Sequence, residues 1–135
     1  MPFSTKAFAA ASRECGARLE GPGETYQVGV YVKTGPNPIF SGASTVAAMA
    51  GKVRTGYLVA TDKRVAFYPA SMMTNAPLDE PWFIDELAGV SVSDVVPPGM
   101  WGRFRYVSPS IEITFNFHKN EKANAERLLG LLGAA

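Results

Sequence analysis

The chain has 135 residues, of which 47% are hydrophobic, 11% aromatic and 19% charged, and its formal net charge is +1. This length and composition are typical of one globular domain with a sizeable core, and they exclude a disordered chain. The balanced charge gives no reason to expect nucleic-acid binding, which usually needs a strong basic excess or stripe. We therefore expect a single domain over residues 1–135.

The expected location depends on features that the sequence lacks. The N-terminus has no basic region followed by a long apolar run, so it does not resemble a signal peptide. No apolar stretch approaches the ~20 residues that are needed to span a bilayer. One cysteine, Cys15, cannot form an internal disulfide, so nothing indicates an oxidising compartment. These features predict a cytoplasmic protein, and the richness in alanine and glycine indicates a bacterial or phage genome.

The first predicted element is a short amphipathic helix over residues 4–20. Its apolar side chains recur at helical spacing, and Gly21-Pro22-Gly23 ends it. Residues 25–33 then alternate between apolar and mostly polar or small side chains, which predicts a half-buried strand. A long connection over residues 34–51 comes next, and its alanine-rich stretch 44–50 favours one or two helical turns. Connections longer than about 12–15 residues are uncommon unless they are functional or mobile.

Short strands dominate the sequence from residue 53 onward. We predict them at residues 55–61, 65–69, 82–85, 90–95, 103–107 and 111–118. The first two strands are separated by a tight turn in which we expect Asp62 to bond its own backbone. The last strand has a large apolar residue at every second position, so one of its faces must be buried and the other wet.

A helix is predicted after the last strand, over residues 119–133. Its apolar stripe lies opposite Lys122 and Glu126 and consists of Ala125, Leu128, Leu129 and Leu132. The element order is therefore helix, seven short strands, helix, with no crossover helices between the strands. This order predicts a mainly β (α+β) fold, a seven-stranded antiparallel barrel or sandwich over residues 25–118 that the C-terminal helix caps.

The segment from Gly56 to Tyr68 resembles the signature of bacterial pleckstrin-homology-like (PH-like) domains of the YokE-like and GRAM-like groups. In those domains a glycine opens a strand that ends Thr-Asn/Asp-x-Arg, and an aliphatic-x-aromatic strand comes after it; here the match is Thr61-Asp62-Lys63-Arg64 and Val65-Ala66-Phe67. The likeness extends in order and spacing over residues 26–132. It implies a seven-stranded barrel whose loops carry the function. The first connection is longer here, and it is where family members that bind phosphoinositides hold the headgroup.

The sequence offers no constellation for catalysis, a metal or a cofactor. His118 is the only histidine, and we expect it on the solvated face of the last strand, with Cys15 in the core. The paired carboxylates 79–80 and 85–86 are adjacent residues, which point to opposite faces of a strand and do not form an acid–base pair. Gly51-Lys52 lacks the first glycine and the Ser or Thr of a phosphate loop. We therefore expect no enzyme.

Two features could bind a partner. Lys33, Lys52 and Arg54 flank the first long connection, where cations beside exposed apolar side chains would suit an anionic lipid headgroup. The alternative is that these cations only keep the strand ends soluble. The turn 97–102 displays Met100 and Trp101, which either contact a protein or tuck under the loop as core.

The candidate partner-binding residues are Phe40, Met49, Met73, Met100 and Trp101. The sequence thus predicts a non-catalytic module for protein interaction or self-association. The alternative function is peripheral membrane binding to an anionic lipid headgroup through residues 34–54.

Overall fold

The computed structural model of the chain describes residues 5–34, 39–40, 55–71 and 73–133. The helices and strands of this part of the chain are α1 (Thr5–Leu19), β1 (Tyr26–Thr34), β2 (Ile39–Phe40), β3 (Thr55–Thr61), β4 (Arg64–Pro69), β5 (Phe83–Glu86), β6 (Ser91–Val96), β7 (Trp101–Val107), β8 (Ile111–His118) and α2 (Lys122–Leu131). A 3-10 turn, Lys119–Glu121, leads from β8 into α2. The helical turns predicted at residues 44–50 lie outside the described residues.

The strands form one antiparallel sheet in the order β5-β4-β3-β1-β8-β7-β6. β2 lies off this path and pairs with the beginning of β8, where Phe40 is opposite Ile111. The predicted mainly β fold, with seven antiparallel strands between an N-terminal and a C-terminal helix, is confirmed. β2 was not predicted, because two residues are too short to show an alternating pattern.

The sheet divides into two halves because β1 pairs differently on its two sides. Against β3 it is paired from Tyr26 to Lys33, whereas against β8 it is paired only from Val32 to Thr34. The two halves therefore diverge from this short junction, and their inner faces enclose the main core. Aromatic rings bridge the halves: Phe67 lies 5.3 Å from Phe115, and Phe83 lies 5.3 Å from Tyr106, between ring centroids.

α2 fills the gap where β1 extends beyond the end of β8. Its buried residues join the main core: Ala125, Leu128 and Leu129, with Leu132 just after the helix. Tyr31 lies just outside the part of β1 that pairs with β8. Its backbone N–H donates to Glu121 Oε1 at 2.8 Å instead of to a residue of β8. The predicted apolar stripe and the capping position of the C-terminal helix are thus confirmed.

α1 covers the outer face of the first half of the sheet. Phe8, Cys15 and Leu19 belong to a second apolar cluster together with outward side chains of β1, β3 and β4. Phe8 stacks on Tyr31, with ring centroids 4.0 Å apart. Because the core lies on one side and α1 on the other, every residue of β3 after Thr55 is buried.

The β3–β4 turn is held by Thr61 rather than by Asp62. The hydroxyl oxygen of Thr61 accepts from the backbone N–H of Lys63 at 3.1 Å and of Arg64 at 3.0 Å. Asp62 Oδ1 accepts instead from the backbone N–H of Thr25 at 3.0 Å, so the expectation that Asp62 bonds its own turn was wrong. The hydroxyl of Thr61, one residue before Asp62, closes the turn. The Asp62 carboxylate instead holds the loop that precedes β1.

Candidate partner-binding face

The second half of the sheet presents an outer face that α1 does not cover. α1 packs on β1, β3 and β4. Along β8, buried residues alternate with half-buried ones, and along β7 the outward side chains are exposed or half-buried. Several of the candidates predicted from the sequence lie on or beside this face.

Strand pairing places six outward side chains side by side. Lys33 pairs with Asn116, Asn116 pairs with Arg103, and Arg103 pairs with Val96, which makes one row across β1, β8, β7 and β6. Directly paired residues of an antiparallel sheet project to the same side. In the next row Trp101 pairs with His118. We call these six residues the open face: Lys33, Val96, Trp101, Arg103, Asn116 and His118.

One edge of the open face is strongly apolar. Val95, Val96, Met100 and Trp101 are 42%, 37%, 63% and 42% exposed, and they lie at the tip of the β6–β7 hairpin. We call these four residues the hairpin tip. They are four of the eight large hydrophobic side chains that the described part of the chain exposes, whereas the other four are spread over the β4–β5 connection, β5 and α2. A local concentration of exposed apolar side chains is typical of an interaction site, while scattered ones are ordinary.

The backbone that carries the hairpin tip packs closely against β8 and the residue after it. The ring of Trp101 lies 5.4 Å from that of His118 at an interplanar angle of 86°, and the backbone N–H of Lys119 donates to the carbonyl oxygen of Met100 at 2.9 Å. A Cβ on Gly102 would lie 2.5 Å from Phe117 Cζ, so only glycine allows this close approach of β7 to the core. The ring of Trp101 and the backbone at Met100 are therefore held by contacts within the chain.

The open face has an excess of positive charge. Lys33 and Arg103 lie on either side of Asn116, and neither makes an ion pair with the described residues. Lys119 is exposed beside Met100. Arg105 lies two residues after Arg103 on the same face of β7. Unlike these three cations, it is ion-paired, with Glu112. The hairpin also carries one carboxylate, that of Asp94, which lines a shallow concavity together with Val96, Arg103 and Arg105.

The free edge of β6 is unsuited to strand pairing. The register of β6 against β7 shifts between Ser93 and Val96, and Asp94 within this bulge has a φ of 52°. A bulge and a charged side chain are features by which natural edge strands avoid adding further strands. Contact is therefore expected on the face of this hairpin rather than along its edge.

A second concavity lies between α1 and the connection from β4 to β5. This groove of about 630 Å³ is lined mainly by apolar side chains, among them Ala7, Phe8, Tyr57 and Pro77. Its polar wall is structural, because the Tyr57 hydroxyl donates to the carbonyl oxygen of Asn75 at 2.6 Å. The other polar residues of its lining are Glu14, at one side, and Thr74.

The structure brings together three of the residues that the sequence singled out. Lys33, Met100 and Trp101 belong to the open face or the hairpin tip. Met73 is 94% exposed, but it lies in the β4–β5 connection, four strands away from β7 in the sheet order. Lys52, Arg54 and Met49 lie outside the described residues. Phe40 is described only as a backbone position in β2.

Sequence reasoning missed Arg103, Asn116 and the two valines of the hairpin tip. The reason is a misplaced boundary: β7 was predicted to begin at Arg103, but it begins at Trp101. With the correct boundary, the alternation Trp101-x-Arg103-x-Arg105 places an aromatic ring and two guanidinium groups on one face. Gly102 hid this pattern, because glycine usually indicates a turn or a strand end.

The side chains of Cys15, His118 and Asp85 are engaged in structural interactions. Burial raises the pKa of the Cys15 thiol to about 12, and this side chain of α1 is fully buried against the sheet. His118 Nδ1 accepts from the backbone N–H of Asn120 at 3.1 Å. Asp85 accepts from the hydroxyls of Tyr106 and Ser110, both at 2.7 Å.

No group of three or more His, Cys, Asp and Glu side chains within residues 5–34, 39–40, 55–71 and 73–133 could hold a metal ion. Over the same ranges, neither helix is long and apolar enough to cross a membrane.

Comparison with known proteins does not assign the chain to a family. No protein-family model matches the sequence, and no curated protein matches it either. The function is therefore inferred from the fold and from the open face.

Proposed function

We propose that the chain is a non-catalytic, PH-like binding module that contacts another protein, or a second copy of itself, through the hairpin tip. The observation behind this proposal is the clustering of Val95, Val96, Met100 and Trp101 as exposed side chains on one hairpin. Tryptophan and methionine are enriched in the buried centre of protein interfaces, and Trp is among the residues that dominate binding energy there.

The packing of Trp101 within the hairpin supports the same proposal. Side chains that are fixed before binding lose less conformational entropy when a partner covers them. Trp101 lies within a strand and packs beside His118, so its ring is already oriented. Burial of the Trp101 ring in an interface contributes about 25 cal/mol of binding free energy per Å² of apolar area. Because the ring is already oriented, little side-chain entropy is lost when it is buried.

The PH-like assignment is supported by three features. The chain from Gly56 to Tyr68 resembles the PH-like signature. The strand order is that of two antiparallel halves joined through the first and last strands, and a C-terminal helix fills the gap between them. A fold of this kind is a scaffold, and its function depends on what its surface presents. We propose that it acts in the cytoplasm of a bacterium or during phage infection.

Site-specific photo-crosslinking tests this function with a matched control. A photoreactive phenylalanine analogue replaces Met100 in one variant and Met73 in another, because both methionines are strongly exposed but only Met100 belongs to the hairpin tip. We expect discrete covalent adducts from position 100 in a bacterial extract or in the purified protein, and none of the same size from position 73. Identical adduct patterns from both positions, or none from position 100, would contradict the proposal.

Sedimentation velocity separates the two kinds of protein partner. A second copy of the chain gives a concentration-dependent rise in sedimentation coefficient, and Trp101→Ser abolishes that rise. A different protein leaves the purified chain monomeric at all concentrations, while the crosslinked adducts from the extract persist.

Membrane binding is the competing function, and one observation favours it: Lys33, which borders the first long connection, lies in the same row as the hairpin tip residue Val96. Flotation with anionic liposomes at low salt tests it. Flotation that is lost in Lys52→Glu and Arg54→Glu would favour a lipid headgroup site over a protein contact. Absence of flotation removes the membrane function.

A further inference from the structure

We infer that the partner presents an acidic segment, with a carboxylate bound over Asn116 between Lys33 and Arg103 and an apolar side chain packed against Trp101 and Val96. This inference rests on the proposed function and names the chemistry of its partner.

The geometry of the row supports a discrete carboxylate site. Lys33, Asn116 and Arg103 occupy directly paired positions on three adjacent strands. Neighbouring strands are about 4.8 Å apart, so the outer two backbones of this row are about 10 Å apart. Two long cationic side chains at that separation can converge on one carboxylate lying above the middle strand. Arg103 can supply two parallel hydrogen bonds to it, and such charge-assisted pairs are the strong ones.

The side chain of Asn116, the middle residue of the row, is already held by a hydrogen bond. Asn116 Nδ2 donates one hydrogen bond to the backbone carbonyl of Lys33 at 3.3 Å. The amide group therefore lies towards Lys33 rather than rotating freely, and its second N–H can meet a carboxylate oxygen. An apolar side chain next to that carboxylate would lie over Val96 and Trp101, which adjoin Arg103 on the same face.

Charge complementarity selects an acidic partner. Lys33, Arg103 and Lys119 lack ion-pair partners among residues 5–34, 39–40, 55–71 and 73–133, while Arg105 is compensated by Glu112. The chain as a whole has a formal charge of only +1, whereas these three cations lie close together on one face and its border. A neutral or basic segment would leave these cations facing nothing or facing like charges, which costs affinity and slows encounter.

The same charges argue against two other occupants. A second copy docked by the same face would bring Lys33 and Arg103 against their own counterparts, since a two-fold contact is self-facing. An anionic membrane around the hairpin tip would approach Asp94, which is exposed and immediately precedes Val95. A narrow protein segment can place its carboxylate over Asn116, on the β8 side of Arg103, whereas Asp94 lies on the β6 side of Arg103.

The test uses fluorescence anisotropy with short fluorescein-labelled synthetic peptides and the full chain. The probe peptide has glutamates on both sides of one leucine and one tryptophan. One control peptide replaces the glutamates by lysines, and another replaces the leucine and tryptophan by serines. We expect the wild-type chain to bind the probe at least about tenfold more tightly than either control, and the affinity to fall as salt is raised.

Charge-reversal variants then locate the site. Lys33→Glu and Arg103→Glu should each weaken binding of the probe by about tenfold or more, because each removes one side of the carboxylate site and introduces a repulsive charge. Lys63→Glu is the matched control. Lys63 is an exposed lysine in the β3–β4 turn, at the opposite end of the sheet, about 20 Å from Lys33 along β1. We expect this variant to change affinity less than twofold.

Several results would overturn the inference. They are equal binding of the glutamate and lysine peptides, probe binding unaffected by Lys33→Glu and Arg103→Glu, or an equal loss in Lys63→Glu. Flotation on phosphatidylserine vesicles through Lys33 and Arg103, without probe binding, would assign the face to a membrane instead. Circular dichroism and thermal unfolding confirm that the variants fold. If position 100 still crosslinks while the probe fails, the acidic partner is wrong but the proposed function stands.

Discussion

At the scale of single residues, Glu24 and Arg64 form an ion pair that joins three parts of the chain. Glu24 Oε1 lies 2.8 Å from Arg64 Nη2, and Arg64 also donates to the carbonyl oxygen of Leu19 at 2.6 Å, at the end of α1. The Thr61 hydroxyl donates to Glu24 Oε2 at 2.7 Å. Thr61 and Arg64, two polar residues of the β3–β4 hairpin, thus have structural roles here.

Glu24 should make stability depend on pH in the acid range. The hydrogen bonds from Arg64 and Thr61 lower the pKa of Glu24 from 4.5 to about 2. A lowered pKa in the folded state contributes stability above pH 4.5, and that stability is lost as the pH falls towards 2. Urea unfolding at pH 7 and pH 2.5 should therefore show Glu24→Gln to be less stable than wild type at pH 7, with the difference shrinking at pH 2.5.

Glu14→Gln is the control for this experiment, because Glu14 pairs with Arg18 at an exposed position on α1. Exposed pairs of this kind are worth about 0–1 kcal/mol. A pH-independent difference between wild type and Glu24→Gln would show that the ion pair does not act as described.

Glu121 should have the opposite dependence. This carboxylate is buried, and burial raises its pKa above the ordinary value of 4.5, although the Tyr31 N–H donates to it. A raised pKa in the folded state means that stability declines as the pH rises through it. Glu121→Gln keeps an acceptor for Tyr31 without the buried charge, so it should exceed wild type in unfolding free energy at pH 7 but not at pH 4.

Glu121→Ala separates the hydrogen bond from the charge. It leaves the buried Tyr31 N–H without its acceptor, which typically costs about 1–3 kcal/mol. If Gln and Ala at position 121 are equally stable at pH 7, the hydrogen bond to Tyr31 contributes nothing.

At the scale of elements, the contact between α1 and β1 depends on two small residues. Ser12 faces Gly29, where an added Cβ would lie 2.5 Å from Ser12 Cβ and 2.9 Å from Val59 Cγ1. The Ser12 hydroxyl is buried and has no hydrogen-bond partner among the residues that the structure describes. The helix can lie close to the sheet only because both side chains are minimal.

Substitutions at these two positions should act in opposite directions. Ser12→Ala removes a buried unpaired hydroxyl and improves helix propensity, so it should raise the unfolding free energy by about 0.5–1 kcal/mol. Gly29→Ala forces α1 away from the sheet and should lower it by about 1–3 kcal/mol. Chemical denaturation of both variants measures the changes; a stabilising Gly29→Ala would show that α1 adjusts freely.

Elements were predictable where the hydrophobic pattern was regular. β8 alternates over eight residues, and its predicted bounds agree with the structure. β3 was also placed correctly, although its continuous burial under α1 could not be inferred, because the sequence does not say which face α1 covers. The bulge at Asp94 and the start of β7 at Trp101 depend on pairing between strands, which the pattern of one strand does not contain.

At the scale of the whole molecule, the candidate site and the core share the same strands. Trp101 and Phe104 belong to β7, yet Trp101 is 42% exposed and Phe104 is fully buried in the main core. Outward side chains of β7 therefore belong to the proposed binding surface, and inward side chains of the same strand belong to the core. Each set can be changed without changing the other.

This separation is testable by two truncations in one strand. Trp101→Ser should change the unfolding free energy by about 1 kcal/mol or less, because substitutions at the surface usually have small effects on stability. The same variant should lose the proposed contact between the hairpin tip and its partner. Phe104→Ala should cost about 3–5 kcal/mol through the cavity it leaves. Equal destabilisation by the two would mean that Trp101 is a core residue, and the hairpin tip would then not be a binding surface.

The narrow junction at Val32–Thr34 also constrains the order in which the chain can fold. These residues must find partners at residues 115–117, more than eighty positions later, so the two halves join only through a contact of very long sequence separation. Loop closure over such a separation is slow. During synthesis, β1 can complete its pairing with β3 early. Its other edge stays unfilled until β8 has left the ribosome, so the second half closes well after the first.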